Sequence, residues 1–64
     1  MIEIYYWEDD PEAEMVLRAL KKSGLEYRET LLDAEMPSAR PSISYQGKTY
    51  WEWDEFLKVF RANH

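Results

Sequence analysis

Hydrophobic and polar residues alternate at the start of the chain. The segment from Met1 to Trp7 is rich in β-branched and aromatic residues, which favours a β-strand. Successive side chains of a strand point to opposite faces of the sheet. The face predicted to pack inward consists of Ile2, Ile4 and Tyr6, and the opposite face consists of Glu3, Tyr5 and Trp7.

After Asp10 the spacing of the apolar residues changes from that of a strand to that of a helix. Aspartate is a favoured N-cap residue, and a proline such as Pro11 is favoured at the first helical position. Gly24 stands where helices commonly end in the left-handed conformation, so we predict a helix from Pro11 to Ser23. Its predicted apolar stripe consists of Met15, Leu17, Leu20 and either Ala13 or Val16.

A second strand is predicted from Leu25 to Leu32. Because a helix separates it from the first strand, the two strands should be parallel and joined by a right-handed crossover. The next segment, Asp33 to Ala39, shows no clear period and contains Pro37. It is predicted to be a loop with room for one helical turn.

The segment from Arg40 to Trp53 has the pattern of a β-hairpin. Two β-rich runs, 40–45 and 48–53, flank the connection Gln46-Gly47. Pro41 stands at the first position of the leading run, where its missing N–H is tolerated. A last helix is predicted from Asp54 to Ala62, capped by Trp53 or Asp54, with an apolar face of Phe56, Leu57, Val59 and Phe60.

The predicted order β-α-β-β-β-α describes one α/β domain over residues 1–64. Parallel strands followed by a hairpin place both helices on one face of a mixed sheet. The other face would carry Ser42 and Ser44 beside the polar face of the first strand. It is half polar, which suits solvent or a partner, including a second copy of the chain, that docks on Tyr5, Trp7 and Ser44.

Composition narrows the possible functions. The chain contains no cysteine, which excludes disulfides and thiol chemistry, and its net charge is −5 at pH 7. A negative protein is a poor partner for nucleic acid or for an anionic membrane. No run of residues has the length of a membrane span or the pattern of a signal peptide, so a soluble, cytoplasmic protein is expected.

The pattern resembles the thioredoxin-like superfamily, and most closely its glutaredoxin branch. Ile4-Tyr5-Tyr6-Trp7 leading into Asp10-Pro11-Glu12-Ala13 is similar to the glutaredoxin strand that enters Cys-Pro-x-Cys, and the segment 40–48 is similar to the family's cis-proline strand and hairpin. The resemblance covers nearly the whole chain. It implies a minimal thioredoxin-like fold with sheet order 2-1-3-4, and a cis Pro41 beside which a peptide or glutathione binds.

The chain departs from glutaredoxins at three places. Asp10 and Ala13 replace both cysteines, Trp51-Glu52 replaces the two glycines before the last helix, and the span from Asp33 to Arg40 is too short for the family's second helix. The resemblance therefore implies a redox-inactive module that binds a protein or peptide partner. It implies no catalytic residue, no cofactor and poor binding of glutathione.

Two other functions remain open. The chain also resembles the amino-terminal domain of glutathione transferases, in which Tyr6 would activate glutathione and Glu52 would lie near its γ-glutamyl end, although Trp53 replaces the expected serine. The chain would then be a glutathione-dependent enzyme that lacks the usual helical second domain. The third possibility is a designed or trimmed thioredoxin-fold scaffold without a biological function.

Several residues are candidates for ligand contacts. The set comprises Trp7, Asp10, Arg40, Pro41, Glu52, Trp53 and Asp54. Arg40 could pair with a ligand carboxylate or with the nearby acids. The acids around Asp10 (Glu8, Asp9, Glu12 and Glu14) could hold a divalent cation weakly. Acids are favoured at any helix N-terminus, however, and no calcium-loop spacing is present, so no metal site is predicted. Most of the aromatic residues are expected to be core.

Overall fold

The computed structural model of the chain describes residues 2–33 and 39–63. The elements follow the predicted order. They are β1 (Ile2–Trp7), α1 (Pro11–Ser23), β2 (Tyr27–Leu32), β3 (Ser42–Tyr45), β4 (Lys48–Tyr50) and α2 (Trp53–Asn63). Most of the predicted loop from Asp33 to Ala39 lies outside the described residues.

The four strands form one mixed sheet in the order β2-β1-β3-β4. β1 pairs with β2 in parallel and with β3 antiparallel, and β3 and β4 form the antiparallel hairpin. In the hairpin turn Gln46 and Gly47 both have positive φ, of 50° and 77°. Two such residues match the twist of the flanking strands, which explains why this connection can be so short. The predicted sheet order 2-1-3-4 is confirmed.

Both helices pack on the same face of the sheet. β1 contributes Ile2 and Ile4 to the core, and their neighbours Glu3 and Tyr5 point to the opposite face. The remaining buried members of the core are Ala13, Val16 and Leu20 of α1, Trp53, Phe56 and Phe60 of α2, and Ile43, Tyr45 and Tyr50 of the hairpin. The predicted inward faces of β1 and β3 are therefore correct.

α2 joins the hairpin through aromatic contacts. The ring of Phe56 lies edge-on to Tyr45 and Tyr50 at centroid distances of 5.5 and 6.0 Å, and stacks on Phe60 at 5.3 Å. These arrangements suit the charge distribution of aromatic rings. A small domain has few core residues, and large rings give it much buried area from each of them.

The apolar stripe of α1 agrees with the predicted one except at Met15. Val16 is fully buried, whereas Met15 is 53% exposed. Ala13, Val16 and Leu20 follow the spacing of one helical stripe, and Met15 stands one position away from it, about 100° around the helix. Ala13, Val16 and Leu20 all belong to the core and Leu17 packs against it, so Met15 alone of the predicted stripe lies outside the core.

Several predicted boundaries also change. β2 begins at Tyr27 rather than Leu25, and β3 begins at Ser42, so Pro41 precedes the ladder. β4 ends at Tyr50, and Trp53 is the first residue of α2 rather than strand or cap. The N–H of Phe56 donates to the carbonyl of Glu52 at 3.2 Å, which starts the helical hydrogen-bonding pattern there.

The prediction of a cis peptide bond before Pro41 is wrong. Residues 2–33 and 39–63 contain no cis peptide bond, so Arg40–Pro41 is trans. The trans form is favoured by about 0.5–1 kcal/mol before proline. Pro41 stands outside the ladder, where no strand pairing requires the other isomer. Over the same ranges no helix has the length and hydropathy needed to cross a membrane.

Candidate functional site

Asp10 begins α1 and fixes its N-terminus. The turn after β1 brings the N–H of Asp10 to 3.3 Å from the carbonyl oxygen of Trp7. Its Oδ1 accepts hydrogen bonds from the N–H groups of Glu12 at 3.0 Å and Ala13 at 3.4 Å. These N–H groups have no partner inside a helix, and a carboxylate at the N-cap satisfies them. The predicted N-cap is confirmed.

Trp53 completes the surroundings of the same carboxylate. Its indole Nε1–H donates to Oδ2 of Asp10 at 3.0 Å. Trp53 is only 8% exposed, and a buried indole N–H needs an acceptor. The bond joins the first residue of α2 to the N-cap of α1, so the two helices begin side by side. Sequence reasoning placed both residues among the candidates but did not predict this bond.

The N-terminus of α1 is already occupied by the side chain of Asp10, which limits what else can bind there. The position that resembles the glutaredoxin nucleophile holds a carboxylate whose two oxygens are both hydrogen-bonded within the chain. Ala13, at the second cysteine position, is fully buried. An incoming anion at this helix end would have to displace Asp10 from its own donors. The site is therefore arranged as a structural junction.

Arg40 contacts an aromatic ring at the end of the hairpin. The Cζ atom of its guanidinium lies 4.8 Å from the centroid of the Trp51 ring, a cation–π geometry. Trp51 itself is 51% exposed. From the sequence, the predicted partner of Arg40 was either a ligand carboxylate or the nearby acidic residues. The strand pattern gave no signal for this contact, because it depends on the bend that follows Tyr50.

Glu52 and Asp54 lie at the N-terminus of α2. The main chain of Glu52 accepts the first helical hydrogen bond, and Asp54 is exposed in the first turn. The positive end of the helix dipole stabilises acidic side chains in the first turn. Glu52 and Asp54 thus have a structural reason for their positions. Of the residues predicted to contact a ligand, Trp53 and Asp10 contact each other.

The sheet face opposite the helices has no described helix on it. Tyr5 and Trp7 are half-buried there, and the hydroxyl of Tyr5 donates to Oε2 of Glu3 at 3.2 Å. Ser44 pairs with Glu3, and Ser42 pairs with Tyr5, so these serines share that face. Ser42 is buried, at 8% exposure, and is less accessible than the predicted half-polar face implied. We call the surface of Glu3, Tyr5, Trp7 and Ser44 the open face.

Tyr6 lies on the opposite side of β1, packed against the core. Burial raises the pKa of its hydroxyl, and the charges of Glu29 and Glu8 raise it further. A tyrosine that stabilises a thiolate acts through its O–H, but an activating environment is usually electropositive, with a lowered pKa. The surroundings of Tyr6 are acidic, and they do not support the glutathione-activating role.

The acidic residues around Asp10 do not assemble into a ligand set for a metal ion. Among residues 2–33 and 39–63 no group of three or more histidine, aspartate or glutamate side chains is placed to hold one. Asp10 is committed to the helix cap and to Trp53. The cap and dipole interpretation accounts for this cluster.

Fold and site together define a small cysteine-free α/β domain whose two helices are joined at their N-termini by an aspartate–tryptophan hydrogen bond. No family model, curated protein or solved structure matches the chain.

Proposed function

We propose that the protein is a redox-inactive, glutaredoxin-like module of the thioredoxin-like superfamily that binds a protein or peptide partner through the open face. The sheet order, the parallel β-α-β unit and the following hairpin and helix are all compatible with that fold. The absence of cysteine excludes thiol–disulfide exchange, because exchange requires an attacking thiolate.

The observation that carries the proposal is the composition of the open face. Tyr5 and Trp7 keep part of their surface exposed on a sheet face without a described helix. Tyrosine and tryptophan are the residues most often found at the energetic centres of protein interfaces. Their conformational cost on binding is low, since each has only two side-chain torsions. Glu3 and Ser44 would supply a polar rim.

The experiment compares the free energy of unfolding and the partners retained by matched variants. Trp7→Ser alters the open face, whereas Trp53→Ser alters the core. If the open face serves binding, Trp7→Ser should cost less than about 1.5 kcal/mol and Trp53→Ser about 3–5 kcal/mol. Partners captured on the wild-type protein should be lost on folded Trp7→Ser.

The opposite results are equally clear. If Trp7→Ser unfolds the protein, Trp7 belongs to the core and the proposal fails. If the folded variant retains every partner of the wild type, the open face is not the binding surface. A third result, a partner lost only when Arg40 and Trp51 are changed, would move the binding surface to the end of the hairpin.

A further inference from the structure

A shallow groove lies between the C-terminal halves of the two helices. Ala19, Lys22 and Ser23 of α1 and Phe60 and Arg61 of α2 line a space of about 430 Å³. Because the N-termini also meet, through Asp10 and Trp53, the helices run side by side in the same direction. Phe60 is almost fully buried and closes the floor, while Lys22 and Arg61 are exposed at the rim.

The shared direction of the helices separates the charges of the molecule. Acids collect at the N-terminal end, which we call the acidic end; its residues are Glu8, Asp9, Asp10, Glu12, Glu52, Asp54 and Glu55. Bases collect at the other end; they are Lys21, Lys22 and Arg61. Each helix terminus carries only about half a charge of the opposite sign, so the side chains determine the sign of each end.

We propose that the groove binds the acidic end of a second copy of the chain, head to tail. The rim of the groove is cationic and its floor is apolar. The acidic end offers carboxylates together with Trp51, which is half-exposed and whose ring also contacts the guanidinium of Arg40. The charges of the two ends of one molecule are therefore complementary, and the groove has a different position from the open face.

The net charge of −5 opposes association only weakly at moderate salt. At about 0.1 M ionic strength the Debye length is about 10 Å, so repulsion between whole molecules is largely screened at their separation. Contacts of about 4 Å between the rim and the acids of the next copy are screened less. Since the two contacting surfaces differ, the contact does not close on itself in a pair and can continue into short chains.

The first measurement is the oligomeric state by sedimentation velocity, at protein concentrations up to about 1 mM. We expect association that increases with concentration. It should weaken at least about tenfold when ionic strength rises from about 0.1 M to about 1 M, because the Debye length falls to about 3 Å. A monomer under all these conditions would overturn the proposal.

Two variants test the pairing of the ends. Lys22→Glu with Arg61→Glu makes the groove acidic, and Glu12→Lys with Glu55→Lys places two cations in the acidic end, which keeps five of its seven acids. Each variant should associate with itself more weakly than the wild type does. A mixture of the two should form a one-to-one complex that is stronger than either self-association, because the unaltered acidic end of the first variant fits the unaltered groove of the second. The side chains changed are all exposed, and circular dichroism establishes that each variant is folded.

A matched control has the same change in net charge as the groove variant. Arg18→Glu with Lys58→Glu reverses two exposed cations outside both the groove lining and the open face, and should leave association intact. Equal loss in the control and the groove variant would mean that net charge alone matters, which contradicts the proposal. Should a reversal variant fail to fold, Lys22→Gln with Arg61→Gln must still weaken association of the folded protein.

Discussion

Asp10 makes three hydrogen bonds with one side chain. Two fix the first turn of α1, and the third holds the indole of Trp53. A hydrogen bond to a charged group contributes about 1.5–3 kcal/mol, and Asp10 is only half-buried, so solvent reduces this value. The carboxylate therefore has a structural role that explains its presence without reference to a ligand.

Trp53→Phe isolates the bond between the helices. It keeps an aromatic ring in the core but removes the N–H donor, and we expect a loss of about 1–2 kcal/mol of unfolding free energy in urea. Trp51→Phe at the exposed position serves as the control and should change stability by less than about 0.5 kcal/mol. In an Asp10→Ala background Trp53→Phe should cost clearly less. An unchanged cost would show that ring packing alone is responsible.

The pKa of Tyr6 gives a prediction for alkaline pH. Burial and the charge of Glu29 raise this pKa above the ordinary value of 10.0, so the folded state keeps the proton longer than the unfolded state does. The stabilisation is complete below the ordinary pKa and is lost as pH rises through it towards the folded value. The stability difference between the wild type and Tyr6→Phe should be constant below about pH 9 and should then shift against the wild type. A difference that stays constant up to alkaline unfolding would contradict the assigned surroundings.

The elements of this chain carry strong local signals. Asp10, Pro11 and Gly24 mark the ends of α1 as the sequence predicted, and Gly24 has the left-handed conformation expected of a helix end, with φ 75°. The face of α1 was harder to predict. The period placed Met15 in the stripe and left Ala13 and Val16 as alternatives, whereas the structure buries both Ala13 and Val16 and leaves Met15 exposed.

At the scale of α1, the resemblance to glutaredoxins predicts what happens when the cysteines are supplied. In Asp10→Cys with Ala13→Cys, the N–H groups that now bind Asp10 would face the thiolate of residue 10. Its pKa should fall below the free value of about 8.5. Glu8, Asp9 and Glu12 oppose this shift, so their replacement by Gln should lower the pKa further. The measurement is thiolate absorbance against pH.

The same variant should form a disulfide between residues 10 and 13 under mild oxidant. A single Asp10→Cys variant, which has no second thiol within the chain, is the control for intramolecular pairing. A thiol that titrates at or above the free value in the Gln background, or a double variant that stays reduced, would remove the main support for the glutaredoxin-like interpretation.

At the scale of the whole molecule, the sequence predicted the topology but not the contacts between its distant parts. The strand order follows from the parallel β-α-β unit and the hairpin. The bond between Asp10 and Trp53 and the stacking of Arg40 on Trp51 depend on how the hairpin ends. From the sequence, Trp53 was predicted to lie at the end of a strand or to cap the last helix. In the structure the chain bends after Tyr50, and the side chain of Trp53 is buried in the core.

Glutathione should bind more weakly than about 1 mM. The N-terminal N–H groups that would attract its carboxylates already bind Asp10, and the neighbouring acids repel an anion. Calorimetric titration measures this affinity. Asp10→Ser keeps a capping side chain, removes one charge and should bind glutathione better than the wild type. Binding of the wild type tighter than about 1 mM would instead favour the glutathione-dependent enzyme.

The hydrogen bond between Asp10 and Trp53 joins residues 43 positions apart, and this separation has a consequence for the order of folding. Closing so long a loop is entropically costly before strand pairing has brought its ends together. We therefore expect Asp10 Oδ1 to cap α1 early in folding, because this cap involves neighbouring residues alone. The bond from the indole of Trp53 to Oδ2 should form later, after β3 and β4 have joined the sheet.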